Sequence, residues 1–115
     1  MPLQIKRIYE PSSPTDGYRI LVDRIWPRGM KKETASIDQW LKDVAPSTAL
    51  RKWFNHEPEK WKAFTKKYAA ELKNSAAYEE LKTLVHKHKK TTLLYSAKDE
   101  LHNQAIALQQ FLLHH

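Results

Sequence analysis

Residues 18–29 read Tyr18-Arg19-Ile20-Leu21-Val22-Asp23-Arg24-Ile25-Trp26-Pro27-Arg28-Gly29. The unbroken apolar run Ile20-Leu21-Val22 is the pattern of a strand covered on both faces, as in a parallel sheet. It predicts a strand over 18–25, ended by Pro27 and Gly29. Upstream, residues 3–8 alternate apolar and polar, which predicts a half-buried strand. Residues 11–17, rich in Pro, Ser, Asp and Gly, predict the loop between them. That connection leaves two readings open, a hairpin or a tight crossover.

Downstream the period changes. Ser36-x-x-Gln39 has the form of a capping box, and Ile37, Trp40, Leu41 and Val44 follow at i, i+3, i+4 and i+7. This predicts a helix over 37–44, stopped by Pro46. Ser47 predicts the cap of a short helix through Phe54, and Pro58 the first turn of another to residue 73. Ser75 predicts the cap of a helix with Leu81, Leu84 and Val85 inward. Thr91-Thr92-Leu93-Leu94-Tyr95 reads as a buried strand. A last helix is predicted over 99–113, capped by Asp99, with Leu101, Ala105, Leu108 and Leu112 as its stripe. Trp40, Trp53, Phe64 and Leu94 are expected in one core. The fold class is therefore α/β, a single domain over 1–115 with a small, largely parallel three-stranded sheet packed by about five helices.

Composition narrows the chemistry. The chain has no cysteine, which excludes a disulfide scaffold, a thiolate metal site and a cysteine nucleophile. Two glycines, Gly17 and Gly29, are too few for a glycine-rich phosphate loop, and no cofactor is expected. His56, His86 and His88 show no i, i+4 pairing with carboxylates, so no metal is expected. Nothing approaches the roughly 18 apolar residues of a membrane helix, and the first residues lack a signal-peptide apolar stretch. No membrane partner is expected, and the cytoplasm is the expected location. The His114-His115 pair is given no functional weight.

Twenty Lys+Arg against thirteen Asp+Glu leave +7. The excess points to an anionic ligand or nucleic acid as partner. Lys60, Lys62, Lys66, Lys67 and Lys73, with Lys82, Lys87, Lys89 and Lys90, read as solvated helix faces or as a polyanion surface without a recognised reading motif.

Ligands of parallel sheets sit beyond the carboxyl ends of the strands. This draws together two polar segments, 23–29 and 96–103. Asp23 reads either as half of a structural ion pair with Arg24, Arg28 or Lys98, or as a ligand-orienting or general-base carboxylate. His102 is the second catalytic candidate. Arg24, Arg28 and Lys98 would supply positive charge to an anion. Trp26 would stack on a planar ligand or pack in the core. Asn103 would complete the polar wall. The leading reading is a pocket for a small anionic or nucleotide-like ligand, with acid–base or hydrolytic chemistry left open. The alternatives are a nucleic-acid-binding module on the basic helices, or a non-enzymatic structural or interaction protein.

Several motifs together are specific. They are Lys6-Arg7-Ile8-Tyr9, the run from Gly17 to Gly29, Asp38-x-Trp40-x-Lys42-x-x-Ala45-Pro46-Ser47 and Leu50-Arg51-x-Trp53-Phe54-x-His56. Phe64-x-x-x-Tyr68-x-x-Glu71-Leu72 and Thr92-Leu93-Leu94-Tyr95-Ser96-Ala97-Lys98-Asp99, with His102-Asn103-x-Ala105, extend them. Over nearly the whole chain these resemble a bacterial family, domain of unknown function 488, in its YeaO-like branch. The resemblance implies a compact cytosolic α/β domain and assigns no activity.

Overall fold

The computed structural model describes residues 2–114. Met1 and His115, the ends of the expected domain, lie outside the described residues. Four parallel strands form one sheet in the order β1-β4-β2-β3: β1 Leu3–Arg7, β2 Tyr18–Leu21, β3 Gln39–Trp40 and β4 Thr91–Tyr95. The helices are α1 Lys32–Ala35, α2 Thr48–Phe54, α3 Trp61–Leu72, α4 Ala76–Lys87 and α5 Gln104–Leu113. Among the described residues, no helix is long and apolar enough to cross a membrane.

β4 lies between β1 and β2 and pairs with both along their length. All five of its residues are buried, as its double pairing requires. The open question about the first connection is thereby answered. It is a crossover, because β1 and β2 run parallel on opposite sides of β4. The crossover carries a 3-10 turn at Pro14–Asp16 and returns through Gly17.

The sheet has four strands, not the expected three. Residues 37–44 form no α-helix; Gln39–Trp40 is a strand and Lys42–Val44 a single 3-10 turn. Asp38 N–H donates to Arg19 O and Leu41 N–H to Leu21 O, so this segment runs along β2 as a short edge strand. The helical spacing misled because the apolar residues serve two faces. Ile37 and Trp40 pack with Ile8, Leu21 and Leu94 on one side of the sheet, whereas Leu41 and Val44 enter the larger core on the other. Ser36, expected as a helix cap, instead ends α1 in the left-handed region (φ 54°).

The larger core joins one sheet face to α2–α5. Leu3, Ile20, Val22 and Leu93 meet Phe54, Phe64, Tyr68, Leu81, Val85 and Leu108. Tyr68 is wholly buried there and donates its hydroxyl to Val44 O at 2.5 Å. The expected single core of Trp40, Trp53, Phe64 and Leu94 is thus divided. Phe64 lies in the larger cluster, and Trp40 and Leu94 lie in the smaller. Trp53 is 38% exposed, with the Lys60 and Lys67 ammonium groups 4.9 and 5.0 Å from its ring centroid. Its position on α2 turns it away from Leu50 and Phe54, the buried side of that helix.

The other sheet face holds a buried charge network. Asp16 is 1% exposed, and its carboxylate accepts from the Arg19 guanidinium, from Lys6 Nζ at 3.1 and 3.2 Å, and from the Ser13 amide at 3.0 Å. Arg19, 4% exposed, spends its other donors on Ser36 O at 2.8 Å and Ala35 O at 3.2 Å. Thr92 donates to Asp16 O at 2.6 Å. Burial alone would raise the Asp16 pKa, but the Ser13 amide, Lys6 and Arg19 together hold it below the ordinary value of 3.8.

Two outcomes follow for stability. Asp16→Asn removes the counter-charge of two cations, so a loss of about 3–5 kcal/mol is expected in urea melts at pH 7. The contribution of Asp16 is present above the unfolded value near 3.8 and is lost as pH falls through its lower folded value. The gap between parent and variant should therefore narrow in acid, and a gap constant with pH would contradict the assignment. Gly17 has φ 68° and ψ −138°, and a Cβ there would stand 2.3 Å from Lys90 O, the acceptor of the Tyr18 amide where β2 begins beside β4. Gly17→Ala should cost more than about 2 kcal/mol; a melt within experimental error of the parent would refute this.

Candidate ligand-binding cleft

β2 and β4 end side by side, with the Val22 amide donating to Leu94 O at 3.0 Å. The chain then diverges, and a cleft of about 550 Å³ opens beyond the strand ends. Asp23, Arg24, Lys98, His102 and Asn103 all line it, so the two polar segments do face each other. Arg28 and Trp26 do not. Beyond Ile25 the chain turns to the opposite sheet face. There Trp26 donates to Met30 O at 2.6 Å and meets Trp40 edge-on at 5.4 Å. Arg28 is exposed, and its carbonyl accepts from the Tyr9 hydroxyl.

Asp23 is 7% exposed on the cleft floor. None of its expected cationic partners bonds to it. Gln104 Nε2 donates to Oδ1 at 2.5 Å, while Oδ2 is buried without a partner among the described residues. Burial raises the Asp23 pKa above 3.8, opposed by Ser96, Gln104 and the nearby charge of Arg51. Ser96 stands close enough to favour the anion, yet neither its hydroxyl nor its amide completes a hydrogen bond of normal geometry.

Arg24 is a clamp. Its Nε and Nη2 donate to Pro46 O at 3.2 Å and Ala45 O at 3.0 Å, fixing the turn that leads into α2. Asn103, rather than Asp99, caps α5. Its Oδ1 accepts from the Ile106 amide at 3.0 Å, and its Nδ2 donates to Asp99 O at 2.9 Å, so both polar ends are engaged. The last helix consequently starts at Gln104 instead of 99, and Leu101 is 71% exposed, off the apolar stripe. Asp99 organises the preceding turn. Its Oδ1 accepts from the Leu101 and His102 amides, its Oδ2 pairs with His102 Nδ1 at 2.9 Å, and these bonds lower its pKa below 3.8. The His102 ring also meets Trp61 edge-on at 5.4 Å. His102 is thereby oriented at the cleft wall.

Three polar lining residues carry no expectation from residue patterns: Arg51 in the middle of α2, His56 just past its end, and Gln104 at the start of α5. Arg51 and Phe54 are three apart and share a helix side, so burial of Phe54 brings Arg51 to the rim. Asn55 and His56 are both left-handed, with φ 47° and 55°. The first ends α2 and the second brings His56 to the cleft. The motif Leu50-Arg51-x-Trp53-Phe54-x-His56 contained the signal without the geometry to interpret it. Among the described residues, no group of three or more His, Asp or Glu side chains is placed to hold a metal ion.

A family model described as "Inactive DUF488-N3 subclade" matches residues 2–115. The chain is 44% identical over 112 residues to "Uncharacterized protein YeaO" of Escherichia coli strain K12, covering 97% of each chain. It is 48% identical over 82 residues to "Uncharacterized protein Rv3073c" of Mycobacterium tuberculosis strain H37Rv, covering 71% of this chain and 70% of that one. No solved structure matches.

The raised carboxyl of Asp23 works against folding at neutral pH. Asp23→Asn keeps an oxygen for Gln104 and removes the charge, so a gain of about 0.5–2 kcal/mol is expected at pH 7. The sign with pH is opposite to that of Asp16. The parent recovers stability as pH falls from above the folded value of Asp23 toward 3.8, so the advantage of the variant should shrink over that window. Paired melts at pH 7 and pH 4 check this, and a variant less stable than the parent at pH 7 would show Asp23 to be a stabilising charge.

Proposed function

We propose that this chain, which belongs to the inactive DUF488-N3 subclade, binds a small phosphate- or carboxylate-bearing ligand in the strand-end cleft without turning it over. The observation that carries this reading is a pair of cations at the rim. Arg51 and Lys98 line the cleft, and neither has an ion-pair partner among the described residues. Most other cations near the sheet are committed, Arg19 and Lys6 to Asp16 and Arg24 to backbone carbonyls. The start of α5 adds the positive end of a helix dipole to the same wall.

Turnover has weaker support. Asp23 and His102 line one cleft, but each has an anchoring partner, Gln104 and Asp99. The family description is of an inactive subclade. The nucleic-acid reading also has less behind it. Lys60 pairs with Glu57 and lies over Trp53, Lys67 lies over the same ring, and Lys82 pairs with Glu79. A cytoplasmic pool of phosphorylated metabolites is the ligand source this reading implies.

Amide chemical-shift titration with inorganic phosphate and sulfate is the test. Shifts are expected at Arg51 and across 96–104, and Arg51→Ala combined with Lys98→Ala should weaken binding by about tenfold or more. Shifts confined to the lysine faces of α3 and α4, with an affinity falling steeply in salt, would favour the polyanion reading instead.

A further inference from the structure

Two features of the cleft make opposite demands. The rim is cationic at Arg51 and Lys98, whereas the floor holds a buried carboxylate at Asp23. An anionic group pressed against the floor would meet like charge at low dielectric. The anion therefore belongs at the rim, and whatever reaches the floor must be neutral.

It must also donate. Asp23 Oδ2 is buried with no partner, a costly state for a carboxylate oxygen. Most donors around it are committed elsewhere, and the Ser96 hydroxyl and amide stand close by without completing a hydrogen bond to it. Gln104 Nε2 serves Oδ1, Arg24 serves Ala45 and Pro46, the Asn103 amide serves Asp99 O, and the Trp40 indole serves the Asp23 carbonyl at 2.6 Å. The walls between rim and floor include Phe54 and Phe64, which favour an apolar, planar body.

We infer that the ligand is a nucleoside monophosphate, with its phosphate at Arg51 and Lys98 and an N–H of its base donating to Asp23. This rests on the anion-binding reading above and deepens it. Asp23 lines the cleft with its Oδ2 buried, and the Asp Cβ–Cγ torsion is soft and two-fold. A turn about that bond on ligand entry moves both oxygens together and presents the carboxylate to the base, with the Gln104 side chain following Oδ1. The cleft of about 550 Å³ is within the size range of small-molecule sites. A site built around a hydrogen bond discriminates strongly against ligands lacking the matching group, because its own polar atom is then left unpaired.

The experiment titrates the full chain, and its Asp23→Asn variant, with GMP, AMP and UMP, with their nucleosides, and with ribose 5-phosphate. At least one nucleotide is expected to bind more tightly than ribose 5-phosphate by about tenfold or more. Asp23→Asn replaces the acceptor at Oδ2 with a donor and removes a charge that repels anions, so it should abolish that margin while ribose 5-phosphate binds at least as tightly as to the parent. Equal affinities for nucleotides and ribose 5-phosphate, or a margin unchanged in the variant, would overturn the inference and leave the anion site standing. Nucleosides binding as well as nucleotides, with the same dependence on Asp23, would support the base contact and remove the role of the rim cations. No shift in the cleft with any probe would overturn both. If Asp23→Asn failed to fold, the comparison of nucleotide with ribose 5-phosphate on the parent would still decide.

Discussion

The carboxylate of Asp16 holds together the face of the sheet that the long helices leave uncovered. Helices α2–α5 bury one face with a continuous apolar cluster. The opposite face has only the four-residue α1, a loop and a small patch around Leu21 and Leu94. Its remaining half is polar: Gln4, Lys6, Thr92 and Arg19 all point there and reach Asp16 or its neighbours. The Asp16 carboxylate thus ties β1 to β2 while its carbonyl holds Thr92 of β4, and through Arg19 it also fixes the Ala35 and Ser36 carbonyls. Position of β3 follows, because Asp38 accepts from the Arg19 amide just before that strand begins. A network of this kind specifies a unique arrangement only when every member is satisfied, and Asp16 meets that condition.

Much of the architecture was legible where one segment serves one environment. The run Ile20-Leu21-Val22 and the segment 91–95 are covered on both faces and lie in or beside adjacent strands, although β2 ends at Leu21 rather than at 25. Ser47 and Ser75 did cap helices, each accepting the amide three residues on. Legibility failed where neighbouring residues face opposite ways. Ile37, Trp40, Leu41 and Val44 have helical spacing, but they divide between two clusters on two sides of the sheet. Periodicity counts apolar residues without saying which surface each one covers. The Asp16 network was invisible for a related reason. An aspartate in a Pro/Ser/Gly-rich loop reads as solvated turn chemistry, and only the crossover past β4 carries it beneath Arg19 and Lys6.

The cleft was readable from topology more than from residue chemistry. Placing ligands at strand carboxyl ends correctly joined Asp23 and Arg24 to Lys98, His102 and Asn103. It over-reached along the chain, because the loop after Ile25 leaves for the other face and takes Trp26 and Arg28 with it. It under-reached across the fold. Arg51 and His56 come from a helix that packs over the strand ends, and no pattern within 47–56 says which strands it will cover. Polar type also misled in part. Arg24 and Asn103 line the cleft, yet their hydrogen-bonding capacity is largely consumed by backbone atoms.

Two aspartates in this chain share chemistry and burial and differ in the sign of their effect. Asp16 meets an amide and two cations, and its carboxyl is held below the ordinary value. Asp23 has one side-chain amide bonded to it, and its carboxyl is pushed above that value. Desolvation acts on both, so the difference lies in the number of committed donors. Arg24, the next residue, directs its guanidinium to carbonyls instead. The same corner contains His56, a non-glycine residue with positive φ directly after another. An unsatisfied carboxylate and a strained turn at one cleft are local violations in a fold that elsewhere satisfies its buried charges. Such departures are expected where a sequence serves something other than stability. On the reading proposed above, the donor missing from Asp23 would arrive with a ligand, and the charge would be retained against the interest of folding because binding needs it.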